Sequence, residues 1–186
     1  MFAPPAVLIP PRSPDLEPVA LAVLAGVSDS SEGASRPVIV TGPSGALDVS
    51  SDAPIVFVGW HGEGERSRQL ASEILAALAR QPPTPRPVAL FETSVLGASG
   101  VSSPVTTTYP RDCPGLRFLG TPERFILRAG GDRPEADPWE LARARRWAAQ
   151  TYRRWSSTSE LVPTRSPRTE STRSTVPWTG WCGAFE

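Results

Sequence analysis

An apolar run from Ile55 to Trp60 is the clearest hydrophobic signal along the chain. Its residues are mostly β-branched or aromatic and no polar positions alternate with them, which is typical of a strand buried on both faces of a parallel sheet. A polar loop leads to residues 66–80, where apolar side chains recur at the spacing of one helical face. Prolines end this helix, and Val88–Phe91 then predicts another buried strand. The pattern therefore predicts a strand, loop, helix and strand over residues 53–93.

Two further strands and a helix are predicted before this unit. Residues 6–9 are apolar and are followed by prolines, which favours a short strand. From Asp15, a candidate N-cap, apolar residues recur at helical spacing, and residues 28–36 are predicted to form a loop. Residues 38–40 predict a second strand. The connection from Gly45 to Ala53 is short, which predicts that no helix separates this strand from the next.

The second half of the chain combines a long loop, a strand and a well-marked helix. Residues 95–117 are mainly Gly, Ser, Thr and Pro, which is typical of a functional or mobile loop. Residues 124–127 predict a last strand. Asp137 as N-cap, followed by Pro138 and by Glu140 in a capping-box pattern, predicts the start of the final helix.

The composition changes after that helix. Ser, Thr, Arg and Pro dominate, and the apolar content is too low to offset the entropy of ordering the chain. We therefore predict a folded domain over residues 1–155 and a disordered tail over residues 156–186. The helix itself carries many arginines away from its apolar face. They are suited to a phosphate or an acidic partner, but a solvated helix face is the simpler interpretation.

The composition also excludes several classes of function. Arg supplies all 19 residues counted as Lys or Arg, because the sequence contains no Lys. This excludes Schiff-base chemistry with pyridoxal phosphate and nucleotide hydrolysis by a P-loop lysine. Two cysteines and one histidine cannot build a Cys-rich zinc site. The formal net charge of zero gives no reason to expect nucleic acid or an anionic membrane as a partner.

The sequence also lacks signals for export or membrane insertion. No basic region precedes an apolar segment near Met1, and no apolar stretch reaches the roughly 20 residues of a membrane helix. We therefore expect a cytoplasmic protein without membrane contact.

His61 allows two chemical interpretations besides an ordinary loop residue. With Glu63 and Glu65 it could form a metal site, although a solvated loop explains this spacing more simply. It could also act as a general base beside Ser13 or Ser94, since all three residues are expected at one edge of the sheet.

The order of these elements resembles flavodoxin. The run Pro54–Trp60 is similar to the third strand of that family, and the run Val88–Ser94 to its fourth strand. The resemblance covers residues 5–155 but is specific only over residues 54–94, and looser over 121–152. It implies a three-layer, doubly wound parallel α/β sheet of about five strands in the order 2-1-3-4-5. It also implies FMN at the switch point between the first and third strands.

Three loops would surround FMN if the resemblance extends to the cofactor. The residue after the third strand in this family often stacks on the flavin ring, a role that would fall to Trp60. The phosphate would lie at the start of the first helix, beside Ser13. The cofactor-binding residues implied in this way are Ser13, Trp60, His61, Gly62, Thr93, Ser94 and Gly97.

The same positions also allow interpretations without a cofactor. Trp60 could be a core residue at the end of the sheet, and Thr93 and Ser94 ordinary loop residues. The stretch 10–15 carries three prolines, which donate no backbone hydrogen bond, and an acidic Asp15 where the phosphate would lie.

The sequence thus leads to two main hypotheses for function. The first is a flavodoxin-like protein that binds FMN and takes part in electron transfer or a flavin-dependent oxidoreductase reaction. The second is a flavodoxin-like domain that has lost FMN and serves as a binding or scaffold module, with contacts made by residues 95–117 and 156–186. A hydrolase that uses His61 is a remote third.

Overall fold

Four parallel strands form the centre of the molecule: β1 (Ala6–Ile9), β2 (Val38–Thr41), β3 (Val56–His61) and β4 (Arg86–Leu96). The computed structural model describes residues 5–10, 14–31, 38–49, 53–62, 65–80, 85–96, 113–130 and 133–159. Three further strands follow: β5 (Leu116–Phe118), β6 (Glu123–Gly130) and β7 (Arg133–Ala136). The helices are α1 (Glu17–Ser30), α2 (Gly42–Asp48), α3 (Glu65–Ala79) and α4 (Pro138–Ser159).

The strands lie in the order β2-β1-β3-β4-β6-β7, with β5 also paired to β4. The fifth position of the sheet is shared by two strands. β5 runs parallel to the start of β4, where Phe118 pairs with Val88, and β6 runs parallel to its end, where Glu123 pairs with Phe91. β7 then adds an antiparallel strand at the edge. The predicted order 2-1-3-4-5 is confirmed, with the fifth position divided in two.

Both faces of the sheet are covered by helices. Successive residues of its central strands point to opposite sides, and the apolar side chains on each side pack against one layer of helices. Phe57 faces the layer formed by α1 and α4. Val56 and Val58 face the layer formed by α2 and α3. All three side chains are fully buried. This explains why the run Ile55–Trp60 has no polar alternation, and it confirms the predicted three-layer architecture.

Trp147 connects α4 to three strands at once. Its ring packs edge-to-face against Phe57 of β3, Phe91 of β4 and Phe125 of β6, at centroid separations of 5.7, 6.2 and 5.8 Å. Pairs of this geometry contribute about 0.5–1.5 kcal/mol each beyond the burial of apolar area. Gly59 makes room for this cluster, since a Cβ there would lie 2.2 Å from the Phe91 ring.

α1 and α4 approach each other closely at Gly26. A Cβ at this position would lie 2.0 Å from the carbonyl oxygen of Arg145 in α4. The side chain of Arg145 reaches back to α1 and pairs with Asp29 at 2.6 Å. The glycine therefore sets the distance between the two helices, and the ion pair lies at the exposed side of the same contact.

The start of α4 is attached to β6 through Arg143. This guanidinium pairs with Glu140 at 2.8 Å, also pairs with Glu123, and donates to the backbone carbonyl of Arg124. Its charge lies 4.6 Å from the centre of the Phe125 ring. Arg143 is thus half-buried and paired, and it is an exception to the predicted solvated face, whereas the other arginines of α4 are exposed: Arg145, Arg146, Arg153 and Arg154.

Glu140 also binds the sheet rather than its own helix start. Its carboxylate accepts a hydrogen bond from the Ile126 N–H at 2.9 Å, so the predicted capping-box role for Glu140 is wrong. Burial on its own would raise the pKa of Glu140. Hydrogen bonds from Arg143 and from the Ile126 N–H, together with the Arg143 charge, outweigh burial and hold that pKa below its usual 4.5. The N-cap prediction for Asp137 is confirmed by its hydrogen bond from the Trp139 N–H at 2.8 Å.

Several predicted boundaries differ from the structure. α1 is preceded by Leu16 at the capping position rather than by Asp15. α2 occupies the connection for which no helix was predicted, because Gly42 takes a φ of 76° at the turn and Pro43 fits the first helical turn. β5 and β7 were not predicted.

The extent of the C-terminal region also bears on the predicted domain boundary. α4 continues beyond residue 155 to Ser159. Residues 160–186 and most of the predicted 95–117 loop lie outside the described residues. The division into a domain and a tail stays a prediction. Among the described residues, no helix is both long and apolar enough to cross a membrane.

Replacing Gly26 by Ala should push α1 and α4 apart, since the new methyl group would meet the backbone of Arg145. Overpacking of this kind typically costs about 1–3 kcal/mol. Urea denaturation should show a loss of that size. Ser28→Ala, an exposed change in the same helix, is the matched control and should have little effect. A Gly26→Ala variant as stable as the wild type would contradict the close approach.

Stability should depend on pH through Glu140. Its folded-state pKa is depressed, so its contribution is present above the unfolded value of about 4.5 and is lost as the pH falls through the folded value. Denaturant unfolding between pH 7 and pH 3 should therefore be less pH-dependent in Glu140→Gln than in the wild type. Glu135→Gln removes an exposed carboxylate in the same way and is the control for the change of charge. Coincident profiles for wild type and Glu140→Gln would count against this role.

Candidate functional site

The carboxyl ends of β3 and β4 lie side by side at one edge of the sheet. Trp60 pairs with Glu92, and His61 with Thr93, in the parallel register of the two strands. β1 runs beside β3 in the same direction, with Leu8 paired to Val58. The chain after β1 therefore leaves the sheet at this edge too, which is where ligands bind in open α/β sheets.

His61 is held by contacts from two elements. Its backbone N–H donates to the hydroxyl of Ser67 in α3 at 2.9 Å. Its Nδ1 lies 3.2 Å from the carbonyl oxygen of Thr93 and 3.3 Å from the Thr93 hydroxyl. Because a carbonyl oxygen only accepts, the contact is a hydrogen bond when Nδ1 carries the proton, and Nε2 is then an acceptor.

Gly62 joins the end of β3 to β4 through the same carbonyl. Its N–H donates to the Thr93 oxygen at 2.7 Å. A Cβ at Gly62 would lie 3.2 Å from that oxygen and 3.6 Å from Oε2 of Glu92. The two backbone N–H groups after Trp60 are therefore both used inside the protein, one by Ser67 and one by Thr93.

Trp60 lies in the core rather than on the surface of this edge. Its side chain is 2% exposed and packs in the layer formed by α2 and α3, with Ala46 and Ile74 in the same cluster. Its indole Nε1 is buried and has no hydrogen-bond partner among the residues that the structure describes. Stacking on a flavin requires an accessible ring face, so this position favours the packing role. The stacking role stays a prediction.

β4 supplies three buried polar residues in a row: Glu92, Thr93 and Ser94, which are 4, 0 and 1% exposed. Glu92 pairs with Arg124 of β6 at 2.5 Å. This ion pair was not predicted from the sequence. A carboxylate that continues a buried strand is expected to have a cationic partner. Arg124 begins the last predicted strand, so the sequence contained a candidate partner for Glu92.

The described residues do not fit a flavin site of the implied kind. The implied site would offer FMN the ring of Trp60 for stacking and contacts from His61 and Gly62. Here the ring of Trp60 is covered, and the N–H groups of His61 and Gly62 already have partners inside the protein. Ser13 and Gly97 lie outside the described residues, so their implied contacts stay predictions.

The metal interpretation of the loop after β3 gains no support. Glu63 lies outside the described residues. Within the part of the chain that the structure describes, no group of three or more His, Cys, Asp or Glu side chains could hold a metal ion. His61 contacts Ser67 and Thr93, and its role as a general base stays a prediction.

Comparison with known proteins supports the fold. A flavodoxin from the domain Archaea superposes with a TM-score of 0.54 at 11% identity, covering 82% of this chain and 99% of that one. A WrbA-like flavodoxin from Agrobacterium tumefaciens gives a TM-score of 0.50 at 14% identity, covering 83% and 98%. The Flv1 flavodiiron core from Synechocystis sp. gives a TM-score of 0.55 at 9% identity. The match covers 84% of this chain but only 36% of the Flv1 core.

No protein-family model and no curated protein matches the sequence. The structural matches establish that the chain has a flavodoxin-like fold. At identities of 9–14% they show the fold alone, because fold is retained long after site residues diverge.

Replacing Ser67 by Ala should destabilise the edge, because the half-buried N–H of His61 would lose its acceptor. Leaving such a group without a partner costs about 1–3 kcal/mol. Denaturant unfolding measures the loss, and hydrogen exchange at the His61 amide should become faster. Ser72→Ala on the exposed face of α3 is the control and should change neither quantity. Unchanged exchange at His61 in Ser67→Ala would show that the bond does not protect this edge.

Proposed function

We propose that this protein is a flavodoxin-like domain that has lost FMN at the usual edge and acts as a non-catalytic binding module. The observation that carries the proposal is the closure after β3, where Ser67 and Thr93 occupy the two backbone N–H groups that follow Trp60. A flavin bound there would have to displace these internal bonds, which costs binding free energy.

The burial of Trp60 supports the same conclusion. Bringing its ring to the surface would remove a large side chain from the core between the sheet and the α2–α3 layer. Emptying such a position costs about 3–5 kcal/mol, as large-to-small core substitutions show. This cost would be subtracted from the affinity for any ligand that stacks on Trp60. The retained fold then serves as a rigid support for other contacts.

Contacts with a partner would come from two polar segments of the sequence. In this proposal residues 97–112 and 160–186, which are rich in Ser, Thr and Pro, supply them. Two aromatic residues near the end of the chain, Trp178 and Trp181, are suited to a protein surface. A cytoplasmic location remains part of the proposal.

FMN-dependent electron transfer is the second candidate, and the fold favours it. The structural relatives include an archaeal flavodoxin that this chain matches over 99% of that protein's length. In this alternative Ser13 and Gly97 would contribute to the site together with the described residues. Thr93 and Ser94 would touch the ring edge.

Titration with FMN decides between the two candidates. The purified protein should be colourless, and micromolar FMN should leave its tryptophan fluorescence and the visible flavin spectrum unchanged. Trp60→Phe keeps a ring in the core and should keep the fold, whereas Trp60→Ala would open a cavity. Micromolar FMN binding that is weakened by Trp60→Phe would overturn the proposal and establish the flavin alternative.

A further inference from the structure

A cleft lies between the β5–β6 connection and the last turns of α4. Its volume is about 250 Å³, and its lining residues are Arg117, Leu119, Gly120, Thr151, Arg154 and Trp155. Phe118, at the end of β5, pairs with Val88 of β4, whereas His61 pairs with Thr93. The cleft therefore lies five residues (88 to 93) back along β4, about 17 Å from the His61 edge at ~3.3 Å per residue. It is separate from the candidate site described above.

The chemistry of the lining favours an anion. Arg117 comes from β5 and Arg154 from α4, and both side chains are exposed. Arg117 and Arg154 are the charged residues among the described ones that line the cleft. Each guanidinium presents a fork of donors that matches the oxygens of a phosphate or a carboxylate. Thr151 adds a hydroxyl group on the same wall.

The remaining walls suit a short carbon skeleton. Trp155 and Leu119 provide apolar surface, and the ring of Trp155 contacts that of Tyr152 at a centroid separation of 6.0 Å. Gly120 has a φ of 86°, and a Cβ there would meet nothing within 4 Å, so the turn leaves open space at this side of the cleft. The cleft thus combines a charged end with an apolar wall and an open side.

We propose that this cleft binds a small phosphate monoester. Arg117 and Arg154 pair with the phosphate oxygens, Thr151 contacts the same end of the ligand, and the indole of Trp155 covers the sugar or other ring attached to it. The volume of about 250 Å³ is below the roughly 300–1,000 Å³ of pockets for drug-sized ligands, so one ring with one phosphate fits better than a dinucleotide. This site goes beyond the proposed function and does not depend on it.

Calorimetric titration of the full chain tests the proposal. Ribose 5-phosphate should bind, inorganic phosphate should bind more weakly, and ribose should not bind, because the phosphate supplies the charge and the sugar the apolar contact. Arg117→Gln and Arg154→Gln should each weaken binding by about tenfold, the loss expected when a charged hydrogen bond is removed. Both arginines are exposed, so the variants should fold.

Arg146→Gln is the matched control. Arg146 lies on the same helix and is exposed, but its guanidinium lies 5.2 Å from the Trp139 ring, outside the cleft. It should leave the affinity for ribose 5-phosphate unchanged. Equal weakening by Arg146→Gln and Arg154→Gln would overturn the proposal in favour of a general charge effect. Absence of binding to the wild type, or equal binding of ribose and ribose 5-phosphate, would also overturn it.

FMN itself carries a phosphate, and the variants separate the two sites. Weak FMN binding that is lost in Arg154→Gln and unchanged in Trp60→Phe would belong to the cleft. FMN binding that is weakened by Trp60→Phe and unchanged in Arg154→Gln would belong to the β3–β4 edge, and would leave the result with ribose 5-phosphate to decide on the cleft.

Discussion

The packing of α4 on the sheet depends on Trp147, whose ring contacts an aromatic side chain from each of three neighbouring strands. The strands come from different parts of the chain, and α4 packs across all three of them beside α1. The cluster requires a glycine at position 59, since any side chain there would occupy the space of Phe91. The same helix must also come close to α1, which Gly26 permits. The packing of the α1–α4 layer therefore depends on Gly26 and Gly59 as much as on the large apolar residues.

The register that builds the sheet also determines what its carboxyl edge can do. Pairing His61 with Thr93 brings the carbonyl of Thr93 within reach of both Gly62 and the imidazole. The ion pair between Glu92 and Arg124 ties β4 to β6 beside it. These contacts satisfy polar groups that would otherwise be available to a ligand. The backbone N–H groups of His61 and Gly62 at this edge are thus used inside the protein, whereas the cleft beside α4 combines two cationic side chains with an apolar wall.

The sequence was informative where one local rule dominates. The run Ile55–Trp60 and the face of α3 follow from burial on both sides of a strand and on one side of a helix, and the strand order followed from the family resemblance. The direction of a side chain at the end of a strand depends on the register with neighbours, so the burial of Trp60 could not be predicted from its position alone. Trp147 likewise carries no mark that distinguishes it from other tryptophans.

The misses have identifiable physical causes. α2 is short, and its glycine and proline are usual signals for a turn rather than a helix. Ala46 in this helix and Val49 directly after it are buried in the core, and this tertiary packing is not visible in the local sequence. β5 and β7 are as short as β1 and β2, but their sequences, LRF and RPEA, contain no apolar run of the kind that marked those two strands. Arg143 and Glu140 were interpreted from helix rules, but their partners lie on β6, and a contact between distant segments leaves no local pattern.

β7 has a consequence for how copies of the molecule meet. A sheet whose last strand is long and regular presents a row of hydrogen-bond donors and acceptors to any neighbouring chain. Here the last strand has 4 residues, and one of them, Pro134, has no N–H to offer. The adjoining Glu135 is exposed and charged. This end of the sheet is therefore a poor template for a further strand. Because β7 forms this edge, strand pairing between two copies of the molecule is disfavoured there.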